Sequence, residues 1–420
     1  MSDYQNRLSA LTLKQRQLLN KRLKGNELEP LKSSDRAEVL VQSHQENTQN
    51  PVQSSFSSQN KLLNRQMDFS IFFFADDAMS NQSDRYNLLI ESAKFADTHG
   101  FTAVWTPERH FHAFGGLYPN PALLGSALSM VTKHLQIRAG SLVLPLHHPI
   151  RVAEDWAVVD NLSKGRAAFA LASGWHPDDF ALSPDNYLER KNIMFSHLEI
   201  VRKLWRGEEI PIQGGGGNKI SLKTFPRPVQ KELPIWLSSA GNIESFKKAG
   251  ELGLNILTSL INQTVEELGD KIQVYRKALR ENGFDPEAHK VSLMIHTFIG
   301  RDLEKVKQEV KEPIFEYLRT NLDLHVSMAK GRSLQVDIEG FTRQDEDSIL
   351  AFAFERYFAK SSLLGTIDKC EMMVNNLKKI GVDECACLLD FGLDVQRVLD
   401  SLELVCELKE ICSPQSALLS

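Results

Sequence analysis

Thr102-Ala103-Val104-Trp105-Thr106-Pro107-Glu108-Arg109-His110-Phe111 opens as a short apolar run and then changes character at one residue. The run reads as a buried strand, and Pro107, which has no amide hydrogen to give a sheet, stops it. An acid, a guanidinium, an imidazole and an aromatic ring follow at once, then His112 and the pair Gly115-Gly116. A strand that ends in clustered ionisable groups is the pattern of the carboxyl mouth of a parallel α/β sheet or barrel, where active sites lie. The plain alternative is a surface loop in which Glu108 pairs with Arg109 and His110 caps a turn. The flanking segments decide between the two.

Working outward, strand-like runs recur with regular punctuation at 67–74, 102–106, 135–144, 166–172, 234–239, 254–258, 291–299 and 384–390. Helical periodicity follows them at 84–99, 121–133, 151–162, 187–205, 243–252, 265–281, 302–322, 349–358, 366–380 and 395–411. A Gly214-Gly215-Gly216-Gly217 loop, flexible by composition, and a polar interruption over 328–347 break the rhythm. Eight strand-plus-helix units predict a TIM (β/α)8 barrel with insertions. A doubly wound open sheet would more often carry a glycine fingerprint after its first strand, and Phe74-Ala75-Asp76-Asp77 is not one.

Outside the barrel, Leu8, Leu11, Leu13, Leu18, Leu19 and Leu23 alternate with Lys14, Arg16, Lys21 and Arg22 as a short basic amphipathic helix ended by Gly25. It reads as a helix lying on the main domain or docking to another protein. Between 41 and 60, thirteen residues are Gln, Ser or Asn, too few apolar groups to offset the entropy of ordering, so the segment is expected to be disordered. The division is a docking helix (1–30), a linker (31–66), the barrel (67–412) and a tail (413–420). A net charge of −5 argues against a general nucleic-acid binder, and no apolar run reaches membrane-span length. The first residues lack the basic-then-apolar layout of a secretory signal, so a cytoplasmic protein is expected. The five cysteines all fall after residue 369 without zinc-site spacing, and Cys385 and Cys387 should pack as small hydrophobes.

On a barrel, residues just past each strand share one cup. These are Asp76 and Asp77; Glu108, Arg109 and His110; His147, His148 and Arg151; Ser173-Gly174-Trp175-His176; Ser238-Ser239-Ala240-Gly241-Asn242; and Asp390-Phe391-Gly392. The turn at Ser238 to Asn242 runs into a helix, which suits a phosphate as well as a simple N-cap. Ser173-Gly174 lets backbone approach a ligand, and Trp175 offers cover for a flat ring. The histidines lack the spacing and the carboxylates of a metal site, so no metal is expected. The cup suits a phosphorylated planar cofactor.

Five segments in this order resemble the flavin-dependent monooxygenases of the bacterial-luciferase type, over about 67–392, and most closely those of natural-product assembly lines. They are 105–111 (WTPERHF), 141–145 (SLVLP), 148–155 (HPIRVAED), 160–166 (DNLSKGR) and 238–242 (SSAGN). The resemblance implies a barrel binding FMN, delivered as FMNH2 by a separate flavin reductase, with O2 as co-substrate adding at the flavin C4a carbon. In luciferases a strand-two acid precedes two histidines, the first catalytic. Here the first position is Arg109 and the second is His110. Arg109 stays protonated and cannot be a base, but it can stabilise a peroxide anion or a substrate carbonyl. Proton work then falls to His110 or His176, beside Glu108. The resemblance further places Gly140-Ser141 as a strand-three bulge under the flavin ring and Ala172 where luciferase has a reactive cysteine. It places the phosphate among Ser173, Arg190 and the Ser239-Ala240-Gly241-Asn242 turn, with Gly174 also in the cofactor site. Pro226-Arg227-Pro228 is shared with the assembly-line type and is expected to shape the substrate side. Residues 11–23 are similar to the helical motif flanking peptide and polyketide synthetase modules, which implies a substrate on an acyl or peptidyl carrier protein. Homodimers are the family habit.

Three functions stay open at this point: an FMNH2- and O2-dependent monooxygenase, an F420-dependent oxidoreductase on the same barrel, and a flavin-binding or docking protein without turnover.

Overall fold

A computed structural model describes residues 66–74, 84–331 and 343–413. The expected N-terminal helix, the linker up to residue 65, Asp76 and Asp77, and all of the tail except Ser413 lie outside the described residues.

Eight parallel strands close on themselves. They are β1 (Asp68–Phe72), β2 (Ala103–Thr106), β3 (Gln136–Val143), β4 (Ala167–Ala172), β7 (Ile235–Ser239), β8 (Asn255–Ser259), β9 (Val291–Ile299) and β11 (Glu384–Leu388). Each pairs with the next in that order, and β11 pairs back onto β1, with Phe69 opposite Cys385. Helices α1 (Asn87–Thr98), α2 (Pro121–Val131), α3 (Pro149–Ser163), α4 (Arg190–Arg206), α5 (Ile243–Glu251), α6 (Val265–Glu281), α9 (Ile367–Ile380) and α10 (Val395–Cys412) cover the outside, whereas α7 (Leu303–Gly331) and α8 (Arg343–Lys360) pack with the axis-facing Phe72, Trp105 and Phe298. This is the expected TIM barrel. Each strand falls within two residues of its predicted limits.

Three departures have physical causes. The Gly214 to Gly217 loop is the tip of an antiparallel hairpin, β5 (Ile210–Gln213) and β6 (Lys219–Leu222), whose largely exposed faces carry little apolar alternation. A short strand, β10 (Leu363–Gly365), pairs with the end of β9. Helices α7 and α8 also run into the 328–347 stretch, so its polar composition does not exclude helix there.

Strand alternation divides the interior in two. Along β9, Val291, Leu293, Ile295 and Ile299 join the core between sheet and helices, and the intervening residues face the barrel axis. Cys385 and Cys387 take the outer side as expected, and burial pushes the Cys387 thiol up to about 12. The Cys370 thiol is likewise raised to about 12, and those of Cys406 and Cys412 to about 11.

The floor of the barrel is polar. Glu384 accepts hydrogen bonds from Arg138 Nη1 (2.9 and 2.8 Å), Trp105 Nε1 (3.2 Å) and Ser292 Oγ (2.9 Å), and from Ser70. The Arg138 guanidinium lies over the rings of Trp105 and Trp236, 4.6 and 4.4 Å from their centroids.

Two of the resemblance segments are structural. Asp160 of the 160–166 turn accepts from the amides of Val229 and Gln230 (2.7 and 2.9 Å), clamping the approach to β7. Pro226-Arg227-Pro228 precedes β7 at that same amino-terminal end. Arg227 donates to the carbonyls of Leu204 and Trp205, capping α4. The expectation that this segment shapes the substrate side is therefore corrected: it sits at the opposite end from the strand-end cup.

Candidate active site

The stretch that decided the fold also builds the centre of the cup. Pro107 ends β2, and Glu108 turns inward with a side chain wholly removed from solvent. Its Oε2 accepts the amide of Val143 at the end of β3 (2.7 Å). Its Oε1 accepts from two imidazoles, His110 Nε2 at 3.0 Å and His147 Nε2 at 2.5 Å. Burial alone lifts the Glu108 pKa, but the hydrogen bonds from His110, His147 and Val143 prevail and hold it below the usual value. On His147 burial disfavours charge, and the Glu108 carboxylate again prevails, raising its pKa.

Arg109 is 2% exposed and forms an ion pair with Asp179, from the short helix Pro177–Leu182 after β4. Burial works against both charges, lowering the Arg109 pKa and raising that of Asp179, while each partner offsets the effect on the other. A guanidinium stays protonated regardless, so the pair is ionic. Nη1 serves Asp179, whereas the buried Nε and Nη2 have no hydrogen-bond partner among the described residues. Trp175 lies 5.3 Å from the guanidinium, and its ring meets the buried His176 edge-on. His176 Nδ1 accepts the Asp178 amide at 3.3 Å.

Beside these groups, the Gly140–Ser141 peptide of β3 is cis, at a register shift between Ala139 and Leu142. A Cβ on Gly140 would stand 2.7 Å from the Phe72 ring and 3.0 Å from Trp105, so no side chain fits. Gly174 has φ +75°, and a Cβ there would stand 2.7 Å from Phe180 and 2.9 Å from Val143. Arg190 fastens this turn, its Nε donating to the Gly174 carbonyl (3.1 Å) and its Nη1 to that of Tyr187 (2.9 Å).

Strand β7 neighbours β4 with Leu171 opposite Leu237, so the turns after Ala172 and Ser239 are adjacent. Ser239 Oγ accepts the Gly241 amide at 3.3 Å, and Asn242 Oδ1 caps α5 through the Glu244 amide at 2.8 Å. Lys271 of α6 reaches this turn, and its Nζ donates to Gln263 Oε1 at 2.9 Å. A Cβ on Gly241 would lie 3.2 Å from that Nζ. No carboxylate pairs with Lys271 among the described residues.

The sequence profile of the family described as luciferase-like monooxygenase matches residues 67–384. The chain belongs to the luciferase-like monooxygenase family. It is an enzyme of the luciferase-like, flavin-dependent monooxygenase type. One relative is the oxygenase component of the flavin-dependent trigonelline monooxygenase of Acinetobacter baylyi, 24% identical over 80% of this chain and 93% of that one. The oxygenating constituent of 3,6-diketocamphane monooxygenase from Pseudomonas putida, solved with FMN, superposes with a TM-score of 0.64, 19% identity and coverage of 82% and 98%. An F420-dependent secondary alcohol dehydrogenase gives 0.58, 18%, and coverage of 81% and 98%. At such identities the two structures attest the shared fold alone.

In this luciferase-like cup the named residues form three groups: Glu108 with His110; Arg109 with Trp175 and His176; and Gly174, Arg190 and the Ser239 to Asn242 turn. Reasoning from the sequence placed His147 at a strand end without a task, and it missed Asp179, Gln263 and Lys271. The chain separations involved, such as 70 residues from Arg109 to Asp179, leave no periodic trace.

A Gly174→Ala substitution tests the turn. The φ and the Phe180 contact leave no room for a methyl group, so FMN affinity by calorimetric titration should fall about tenfold or more while the barrel still melts cooperatively. Unchanged affinity would remove this turn from the cofactor cradle.

Proposed function

We propose that the protein is the oxygenase of a two-component system, taking FMNH2 from a separate flavin reductase and using O2. Its substrate is an acyl or aminoacyl intermediate on a carrier-protein arm in peptide or polyketide assembly. It acts in the cytoplasm as a homodimer. The observation that carries the reading is the placement of a Glu108-oriented imidazole, His110, beside a buried guanidinium, Arg109, whose Nε and Nη2 have no partner among the described residues.

The donor set fits a phosphorylated planar ring. Ser173, Arg190, Lys271 and the Ser239 to Asn242 turn would hold the phosphate, with the α5 amino terminus adding its dipole. Gly140, Ser141, Ala172 and Gly174 would lie against the ring, since glycine and alanine leave room for it. Bound reduced flavin would supply the electrons that activate O2. Arg109 would stabilise negative charge through Nε and Nη2, and His110 would move a proton while Glu108 fixes its orientation. Trp175 and His176 would close the side of the cup.

Lys271 makes the phosphate assignment testable. A Lys271→Met variant should lose about tenfold to a hundredfold in FMN affinity, the scale of a charged hydrogen bond, and keep its affinity for riboflavin, which has no phosphate. Equal losses for both ligands would place the lysine elsewhere.

The class itself is tested by oxygen-electrode traces with FMNH2, followed by intact mass spectrometry of an acylated carrier protein incubated with the enzyme. Gain of one oxygen atom on the carrier supports the proposal. Reduction by F420H2 with FMNH2 inert would replace it with a deazaflavin oxidoreductase. Tight flavin binding with no O2 uptake would leave a non-catalytic flavin-binding or docking protein.

A further inference from the structure

Glu108 Oε1 holds two imidazoles, and one negative charge cannot compensate two positive rings. Burial disfavours the Glu108 charge, but its hydrogen bonds keep it ionised, and an ionised carboxylate only accepts. Each Nε2 therefore carries a hydrogen, on His147 at 2.5 Å and on His110 at 3.0 Å. Two imidazoles on one counter-ion titrate as a coupled pair, and between the two steps a single extra proton remains. Geometry assigns it to His147. That ring makes the shorter bond, as charge-assisted bonds are. Its side chain is also 27% exposed against 12% for His110, and it lines an outer cleft of about 430 Å³ where water reaches the charge.

We propose that His147 is the resident counter-cation of Glu108, and that its charge keeps His110 neutral, with the lone pair on Nδ1, as the base of the cup. This rests on the flavin-oxygenase reading of the cup. An uncompensated carboxylate beside His110 would hold that ring protonated and leave it no lone pair. With His147 charged, His110 Nδ1 accepts the proton that leaves the reacting group, and Glu108 stays ionised against the imidazolium that results. Orienting His110 needs only the carboxylate; keeping it neutral needs the second ring. His147 is a positioning residue, since it reaches the cup only through Glu108.

The other charged groups around the two rings leave this balance in place. His110 faces Asp179, whose charge is taken by Arg109. His147 faces Asp155 of α3, which pairs with Arg151 at 2.9 Å. In the cleft, mainly burial holds the His197 imidazole below its usual value, so it adds no charge, and His148 Nδ1 accepts the Ile150 amide at 3.3 Å.

The test compares His147→Gln, which keeps a donor without the charge, with His147→Lys, which keeps the charge, in the full-length protein. Turnover of FMNH2 and O2 by the glutamine variant should fall about tenfold near pH 7 and recover when the pH is raised by about one to two units, because His110 then holds the proton that His147 held. The lysine variant should regain most of that loss near pH 7. Equal losses in both variants with an unchanged pH profile would reduce His147 to packing and overturn the proposal. Independently of turnover, 15N-imidazole NMR of the flavin-free protein near pH 7 should show His147 protonated on both nitrogens and His110 on Nε2 alone, with His110 doubly protonated in His147→Gln. A neutral His147, or a His110 signal indifferent to His147→Gln, would equally overturn it. Absence of O2 uptake by the unaltered protein would instead remove the oxygenase reading, and the NMR result would still decide the charge assignment.

Discussion

Replacing His110 with alanine is expected to cut product formation about a hundredfold or more while FMN affinity stays within a factor of two or so. The separation follows from the geometry. His110 donates to Glu108 and makes none of the contacts that shape the Gly174 or Ser239 turns. Its loss leaves Glu108 still held by Val143 and His147, so the carboxylate keeps its place and the barrel its stability. Single-turnover assays with FMNH2 would read the chemical step, and calorimetry the binding. Undiminished product formation would hand the proton work to His176, which is buried beside Trp175 on the neighbouring turn.

The largest effect on stability is expected at the barrel floor. Arg138→Met should cost about 3–5 kcal/mol, because it leaves Glu384 ionised, fully enclosed and without its cation. For a domain of this size that corresponds to a fall in Tm of roughly ten degrees. The pH dependence has a definite sign. Burial would raise the Glu384 pKa, but Arg138 together with Ser70 and Ser292 holds it below the usual value. A depressed carboxylate pKa contributes stability above the unfolded-state value, and that contribution is lost as pH falls through the folded-state value. In the variant the same glutamate is easier to protonate, and a neutral floor is less costly. The two proteins should therefore differ most near neutral pH and converge as melts are run toward pH 4. A constant gap across that range would mean that Arg138 acts through packing on Trp105 and Trp236 and not through charge.

The barrel was legible in the sequence because each of its strands is buried on both faces and so reads as a nearly continuous apolar run. Ala167–Ala172 and Val291–Ile299 are of this kind. The hairpin at 210–222 was not legible, because its four-residue strands lie on the surface and their alternation carries little contrast. The same division holds for the cup. Residues directly after a strand could be assigned to it by position, which found Glu108, Arg109, His110 and Ser173. Asp179 and Lys271 enter from the body of a helix, and their approach depends on how that helix packs. His147 was visible in the 145–149 run, but nothing in that run points back 39 residues to Glu108.

The treatment of sulfur bears on how long such a catalyst lasts. Any hydrogen peroxide released by the proposed flavin and O2 chemistry would attack thiolates far faster than thiols. Four of the five cysteines are enclosed and the fifth is partly covered, with every thiol pushed toward its protonated form. The fold therefore offers such an oxidant almost no reactive thiol, and wasted turnovers should not be self-inactivating through cysteine damage.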